Sequence, residues 1–105
     1  MAETWKKLYQ GQVGSSATTL YTVPGATEAI IKHIRAVNTS GTARTIRLWH
    51  DGSADANAIL PPVELGPGEW GEFDGSILAE AADTISGQAG AATAITVTIY
   101  GLEIT

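Results

Sequence analysis

Short apolar segments separated by turn residues make up most of this chain of 105 residues. The closing segment shows the pattern most clearly, because Ile95, Val97 and Ile99 alternate with polar or aromatic residues, as in a strand with one buried face. At Gly101 the phase of the alternation slips. A glycine at a phase slip predicts a β-bulge there.

Eight segments have strand character, and no amphipathic helical run lies between them. The eight predicted strands are Trp5–Val13, Thr18–Val23, Ala29–Asn38, Arg44–His50, Glu69–Asp74, Ser76–Ala79, Thr84–Ala89 and Ala94–Thr105. Pro24-Gly25 and Pro67-Gly68 suit the centre of type II turns, because the glycine accepts a positive φ. We predict an all-β fold, an antiparallel β-sandwich resembling a jelly roll, with about eight short strands.

Three local features refine this pattern. Pro61-Pro62 donates no ladder hydrogen bond, so this segment is predicted to be an edge or a loop. One helical turn is predicted near Ser53–Ala58, with Ser53 as its cap. Asp74-Gly75 reads as a turn between two strands. The whole chain, 1–105, is predicted to be one domain, in which residues 1–12 are either the first strand or an N-terminal arm.

A hairpin between Ala29–Asn38 and Arg44–His50 would set Ile34 opposite Leu48, with both apolar side chains on one face. His33 would then lie on the outer face and His50 on the core face. Two histidines on opposite sides of a sheet do not share a metal ion, so we predict no metal site.

The same hairpin would gather a basic and aromatic patch on its outer face, made of His33, Arg35, Arg47 and Trp49. Two facing arginines repel unless an anion or a carboxylate lies between them. The patch is therefore either solvated and paired with the chain's own acids, or a contact surface for an acidic partner.

Near the N-terminus, Trp5, Lys6 and Lys7 form a second candidate contact. In an N-terminal arm they would reach a neighbouring molecule. In an ordinary first strand they would belong to the sandwich itself. The sequence leaves both alternatives open.

Charge is unevenly distributed along the chain. All six lysines and arginines precede residue 48, whereas nine of the eleven acids follow it, and the formal net charge is −5. Such an acidic chain is a poor candidate for nucleic-acid binding. We expect the two charge-biased regions either to neutralise each other within the fold or to meet between subunits of a homo-oligomer.

The sequence gives little support for a membrane-spanning segment, a signal peptide or cysteine chemistry. No run of about 18 apolar residues is present, and the N-terminal segment lacks the apolar region of a signal peptide, so we expect neither a membrane protein nor export by that route. The chain has no cysteine, which excludes disulfides and thiolate ligands.

No catalytic residue and no cofactor site is predicted. The segment Asp51–Pro62 lacks the glycine and the glutamate of an EF-hand loop, and no serine lies in a Gly-x-Ser-x-Gly context. Exposed tryptophans could instead stack on sugars, which keeps a carbohydrate-binding module open as an alternative. The candidates for that role are Trp5, Trp49 and Trp70.

Several motifs together resemble a known group of proteins. They are "LYTVP" at 20–24, "IKHIRAVNTS" at 31–40, "LGPGEW" at 65–70 and "ITVTIYGLEIT" at 95–105. With these motifs the chain, from Leu8 onward, is similar to small β-sandwich structural proteins of tailed bacteriophage virions. It departs from their pattern at Ala36, where valine is common, and at Ala82, where glycine is usual.

The resemblance implies a virion component without enzymatic activity, assembled in the cytoplasm of the bacterial host. The favoured role is capsid decoration, with the major capsid protein or other virion proteins as partners. The alternative within this class is a tail-associated or fibre-associated protein. The family pattern names no functional residue.

Overall fold

The structure, a computed structural model, describes residues 3–105. Eight strands and one 3₁₀ turn lie within this range. They are β1 (Glu3–Gln12), β2 (Thr18–Thr22), β3 (Glu28–Asn38), β4 (Arg44–His50), the 3₁₀ turn Asp55–Asn57, β5 (Ala58–Leu65), β6 (Trp70–Ala79), β7 (Thr84–Ala89) and β8 (Ile95–Ile104). No helix in the described range is long and apolar enough to cross a membrane.

The strands form two four-stranded antiparallel sheets, which confirms the predicted all-β fold. Sheet A has the order β1-β8-β3-β6, and sheet B has the order β2-β7-β4-β5. Side chains from both inner faces fill the space between them, as in other β-sandwiches. The central members of this core are Ile31, Ile34, Ile46, Leu48, Ile85, Ile95, Val97 and Ile99.

Two predictions about individual strands are corrected by the structure. Strand β5, which contains Pro62, was not among the predicted strands, but it lies at an edge of sheet B, where a missing N–H breaks no inner ladder. Asp74-Gly75 is not a turn, because β6 continues through it with an irregular register against β3. The 3₁₀ turn begins after Ala54, and no side chain caps it, so Ser53 is not the cap.

The predicted β3–β4 hairpin is wrong. Strand β3 lies in sheet A and β4 in sheet B, so the chain crosses between the sheets after Asn38. The fully buried Asn38 side chain holds this crossing: its Nδ2 donates to the carbonyls of Thr42 and Leu65, both at 2.9 Å, and its Oδ1 accepts from Ser40. Ile34 and Leu48 do both face the core, but from opposite sheets.

The two Pro-Gly turns differ in where the positive φ falls. Gly68 has a φ of 71°, and the N–H of Glu69 donates to the carbonyl of Gly66, as predicted for Pro67-Gly68. After Pro24 the positive φ of 55° falls on Ala26 instead of Gly25.

Alternation along β8 continues through Gly101, so the predicted bulge is not on this strand. The extra residues lie opposite it: Leu8 interrupts the register of β1, and Lys32 interrupts that of β3. Gly101 is needed for a different reason. A Cβ placed on it would lie 2.1 Å from the backbone oxygen of Ile30.

One inter-sheet contact closes the end of the sandwich near β1. The hydroxyl of Tyr21 in β2 donates to Glu103 in β8 at 2.5 Å, and Lys6 in β1 pairs with the same carboxylate at 3.1 Å. The Tyr21 hydrogen bond, helped by Lys6, holds the pKa of Glu103 below its usual value. Burial, and then the neighbouring carboxylate, raise the pKa of Tyr21.

Replacing Gly101 by alanine tests the close approach of β3 to β8. Because backbone would have to move, we expect Gly101→Ala to lower the free energy of unfolding by about 2 kcal/mol. Gly41→Ala is the control, since a Cβ there meets nothing within 4 Å. Urea denaturation measures both variants, and equal effects would contradict the account.

Ala82 tests a second backbone constraint. It has a φ of 71° at the turn before β7, a conformation that glycine adopts without strain. We expect Ala82→Gly to raise the free energy of unfolding by about 0.5–1 kcal/mol. Ala81→Gly, one residue earlier and without a positive φ, should not stabilise the protein. A stabilisation by both or by neither would count against this reading.

Candidate functional site

The predicted basic and aromatic patch is divided between the two sheets. His33 and Arg35 lie on β3 in sheet A, whereas Arg47 and Trp49 lie on β4 in sheet B. The patch required β3 and β4 to be neighbours in one sheet. It therefore does not exist as one surface.

Trp49 is not an exposed anchor. It points away from Leu48, as predicted, but it is only 2% exposed. The guanidinium carbon of Arg47 lies 5.0 Å from the centre of its ring, and Asp55 pairs with Arg47 at 3.2 Å. The loop before β5 thus holds Arg47 against the indole ring of Trp49 and shields it from solvent. Alternation along β4 gives the direction of Trp49 but does not reveal this shielding.

The N-terminal candidates lie on both sides of β1. This segment is a strand paired with β8 along its length. Lys6 points to the inner side, where it pairs with Glu103, so it is engaged within the chain. Trp5 points to the opposite side and is 69% exposed. Lys7 lies on that same side and donates to Gln10 at 2.7 Å.

All four large hydrophobic residues that are exposed among residues 3–105 lie on one surface. We call this surface, the side of sheet A turned away from sheet B, the outer A face. Its exposed apolar members are Trp5, Trp70, Leu78 and Tyr100. Tryptophan and tyrosine are enriched where protein interfaces concentrate binding energy.

Strand register places these residues in rows across sheet A, because directly paired residues project to the same side. One row is wholly apolar and runs in the order Trp5, Leu102, Ile30 and Leu78. The middle two members are shielded by their neighbours, since Leu102 is only 5% exposed. The row forms an apolar band that crosses all four strands.

The next rows carry charge. The second runs Lys7, Tyr100, His33 and Asp74, and the third runs Gln10, Thr98, Arg35 and Glu72. The His33 ring is held between Glu72, at 2.8 Å from Nε2, and Asp74, next to Nδ1. The basic side chain of Lys7 therefore lies at the β1 end of the second row. The acidic side chains of Asp74 and Glu72 lie at the β6 ends of the second and third rows.

Arg35 adds an aromatic contact to this face. Its guanidinium carbon lies 4.6 Å from the centre of the Trp70 ring, within the range of a cation–π interaction. Both side chains of this stacked pair remain exposed. A planar group of this kind suits contact with another surface.

Leu78 and Tyr100 were not predicted as contact residues, and Trp70 was predicted only as a candidate for stacking on sugars. The alternation of β8 already indicated that Tyr100 points away from Ile99. Membership of one face, however, depends on β6 being the neighbour of β3, which is a long-range pairing. The sequence carried no local signal for that pairing.

Other chemistry is sparse in the described part of the chain. His50 lies in sheet B and contacts Asp83 at 3.2 Å. The backbone N–H of Glu80, and then His50, hold the pKa of Asp83 below its usual value. Among residues 3–105, no group of three or more His, Cys, Asp or Glu side chains is placed to hold a metal ion.

A cleft of about 410 Å³ opens between the edge strands β5 and β6. Its walls are mainly apolar and include Ile59, Leu60, Phe73 and Ile77. Lys32 donates to Ser76 at 2.9 Å at its rim. His33 and Asp74 also line the cleft, which exposes part of the core at this edge.

Comparison with known proteins gives a likeness in fold. A solved structure of Bacillus endospore appendages, described as a novel family of disulfide-linked pili, matches with a TM-score of 0.54 and 14% identity over 98% of this chain and 88% of that chain. This likeness shows a shared fold alone. No family model matches the sequence, and no curated protein matches it.

Two weaker structural matches were also found. A family 35 carbohydrate-binding module from Clostridium thermocellum has a TM-score of 0.41 and 11% identity, over 100% of this chain and 99% of that chain. A pentameric capsid protein isolated from metagenomic phage sequences has a TM-score of 0.33 and 19% identity, over 90% of this chain and 58% of that chain.

Proposed function

We propose that the chain is a structural protein of a tailed-bacteriophage virion and that it decorates the capsid shell. The observation that carries the proposal is the collection of Trp5, Trp70, Leu78 and Tyr100 on one sheet face. An apolar and aromatic face on a sandwich of this size is typical of a surface that another protein covers. The motifs shared with virion β-sandwich proteins support the choice of assembly.

A decoration protein stabilises a shell through many repeated contacts. Each copy adds interface area that must be lost before the shell can open, and weak contacts sum through multivalency. The role requires no catalysis and no cofactor. The proposed partners are the major capsid protein, other virion proteins and further copies of this chain, in particles assembled in the host cytoplasm.

Substitution of the exposed tryptophans tests this proposal. In particles produced with Trp5→Ser/Trp70→Ser, we expect incorporation to fall at least about tenfold, because truncating interface anchors removes most of the contact energy. Thr19→Ala, an exposed change in sheet B, is the control. Quantitative gels of purified particles measure incorporation, and thermal unfolding checks that each variant is folded.

Separating heads from tails decides between the two virion roles. Abundant protein on heads supports decoration. Protein found only on tails would overturn decoration in favour of a tail or fibre role. Full incorporation of the double variant would contradict the use of the outer A face in either role.

Carbohydrate binding is a second candidate, favoured by three exposed aromatic rings on one face, those of Trp5, Trp70 and Tyr100. Such rings stack on the apolar faces of sugars, and Arg35 and Glu72 supply polar groups beside them. A glycan array probed with the purified chain tests this candidate. Binding that the double tryptophan variant abolishes would support it over the structural role.

A further inference from the structure

We propose that the outer A face is covered by a second copy of this chain, in a two-fold dimer that stacks sheet A on sheet A. The proposal rests on one part of the proposed function, namely that another protein covers this face. It adds the identity of that protein. The register of the rows described above makes this face complementary to itself.

A two-fold axis parallel to the strands, lying between two stacked sheets, exchanges their edges. It places β1 over β6 of the partner and β8 over β3 of the partner, with every row facing the same row. In the apolar row, Trp5 then meets Leu78 of the partner subunit, and Leu102 meets Ile30 of the partner subunit. The apolar band is thus complementary to itself.

The charged rows are self-complementary about the same axis. Lys7 faces Asp74 of the partner subunit, and Gln10 faces Glu72 of the partner subunit. Each contact occurs twice in the dimer because the axis relates the two copies. The Asp74 side chain is 81% exposed, so it is accessible to a lysine of another subunit in addition to its contact with His33.

The other in-plane two-fold axis, perpendicular to the strands, is disfavoured. About an axis midway between the second and third rows, β6 would face β6 of the partner. Asp74 would then oppose Glu72 of the partner subunit. Like charges directly opposed across an interface are destabilising. The distribution of charge on the face therefore selects the axis parallel to the strands.

The size of the face is adequate for such a contact. Four strands about 4.8 Å apart and about 30 Å long present roughly 600 Å² in projection. Side-chain relief increases the accessible area above this figure, towards the roughly 800 Å² per partner of a stable interface. Stacked sheets about 10 Å apart leave room for the tryptophan and leucine side chains between them.

A charge exchange tests the dimer and its register together. Sedimentation velocity over a range of concentrations should show that the purified wild-type chain dimerises. Lys7→Glu alone and Asp74→Lys alone should each raise the dimer dissociation constant at least about tenfold, because each places like charges at two positions. The double variant Lys7→Glu/Asp74→Lys should restore the constant to within about threefold of wild type.

A contact between Lys7 and Asp74 of the same subunit does not explain rescue by the double variant. The two residues lie on opposite edge strands of sheet A, about 14 Å apart at the strand spacing. Glu64→Lys, an exposed charge reversal in sheet B, is the control and should leave the constant unchanged. Circular dichroism checks folding. If a charge variant does not fold, Trp5→Ser tests the apolar row and should weaken the dimer.

A wild-type chain that stays monomeric would overturn the second copy as the occupant and leave the face to a different protein. Single variants that dissociate the dimer without rescue by the exchange would overturn the proposed register. These measurements use no phage particles. A dimer that persists while particles lack the protein would contradict the virion role and leave the dimer standing.

Discussion

The packing of two sheets through one apolar face each is the interaction on which the rest of this structure depends. Isoleucines dominate the contact, with Ile31, Ile34 and Ile99 from sheet A meeting Ile46 and Ile85 from sheet B. Because side chains alternate along a strand, burial of one set fixes the direction of the other. The burial of one set of side chains in the core therefore determines which residues of sheet A point outward.

Strand β8 pairs with both β1 and β3, so its own orientation sets which of their residues point outward. With Ile99 in the core, Tyr100 must point outward. The register then brings Lys7 and His33 beside it, and the pairing of β3 with β6 adds Asp74 to the same row. The extra residue of β1, Leu8, lies between the second and third rows, whereas that of β3, Lys32, lies between the apolar row and the second row.

Local structure could be predicted from the sequence wherever a local rule was sufficient. Apolar segments between turn residues identified most strands, and the missing N–H groups of Pro61-Pro62 correctly allowed an edge position. The β3–β4 connection was wrong because Ile34 and Leu48 are equally well buried from one sheet or from two. The buried hydrogen bonds of Asn38 hold the crossing between the sheets, and alternation along the two strands does not reveal them.

The residues of the candidate site were only partly predicted, because the sequence did not show which strands share a sheet. Trp5, Lys7, His33 and Arg35 lie on the outer A face, whereas Arg47 and Trp49 belong to the other sheet and Lys6 points inward. Trp70 and Leu78 reach this face through a pairing between segments more than 30 residues apart. Aromatic and charged residue types indicated a contact surface, but only the topology shows which residues share it.

Hydroxyl-radical footprinting tests the central claim, that a second copy of this chain covers the outer A face, most directly. In a dilute solution of the purified chain, Trp5 and Trp70 should be oxidised much faster than the buried Trp49, which is an internal reference. In a concentrated solution, the account predicts that oxidation of Trp5 and Trp70 slows strongly, while that of Trp49 is unchanged. Equal oxidation of Trp5 and Trp70 at both concentrations would contradict it.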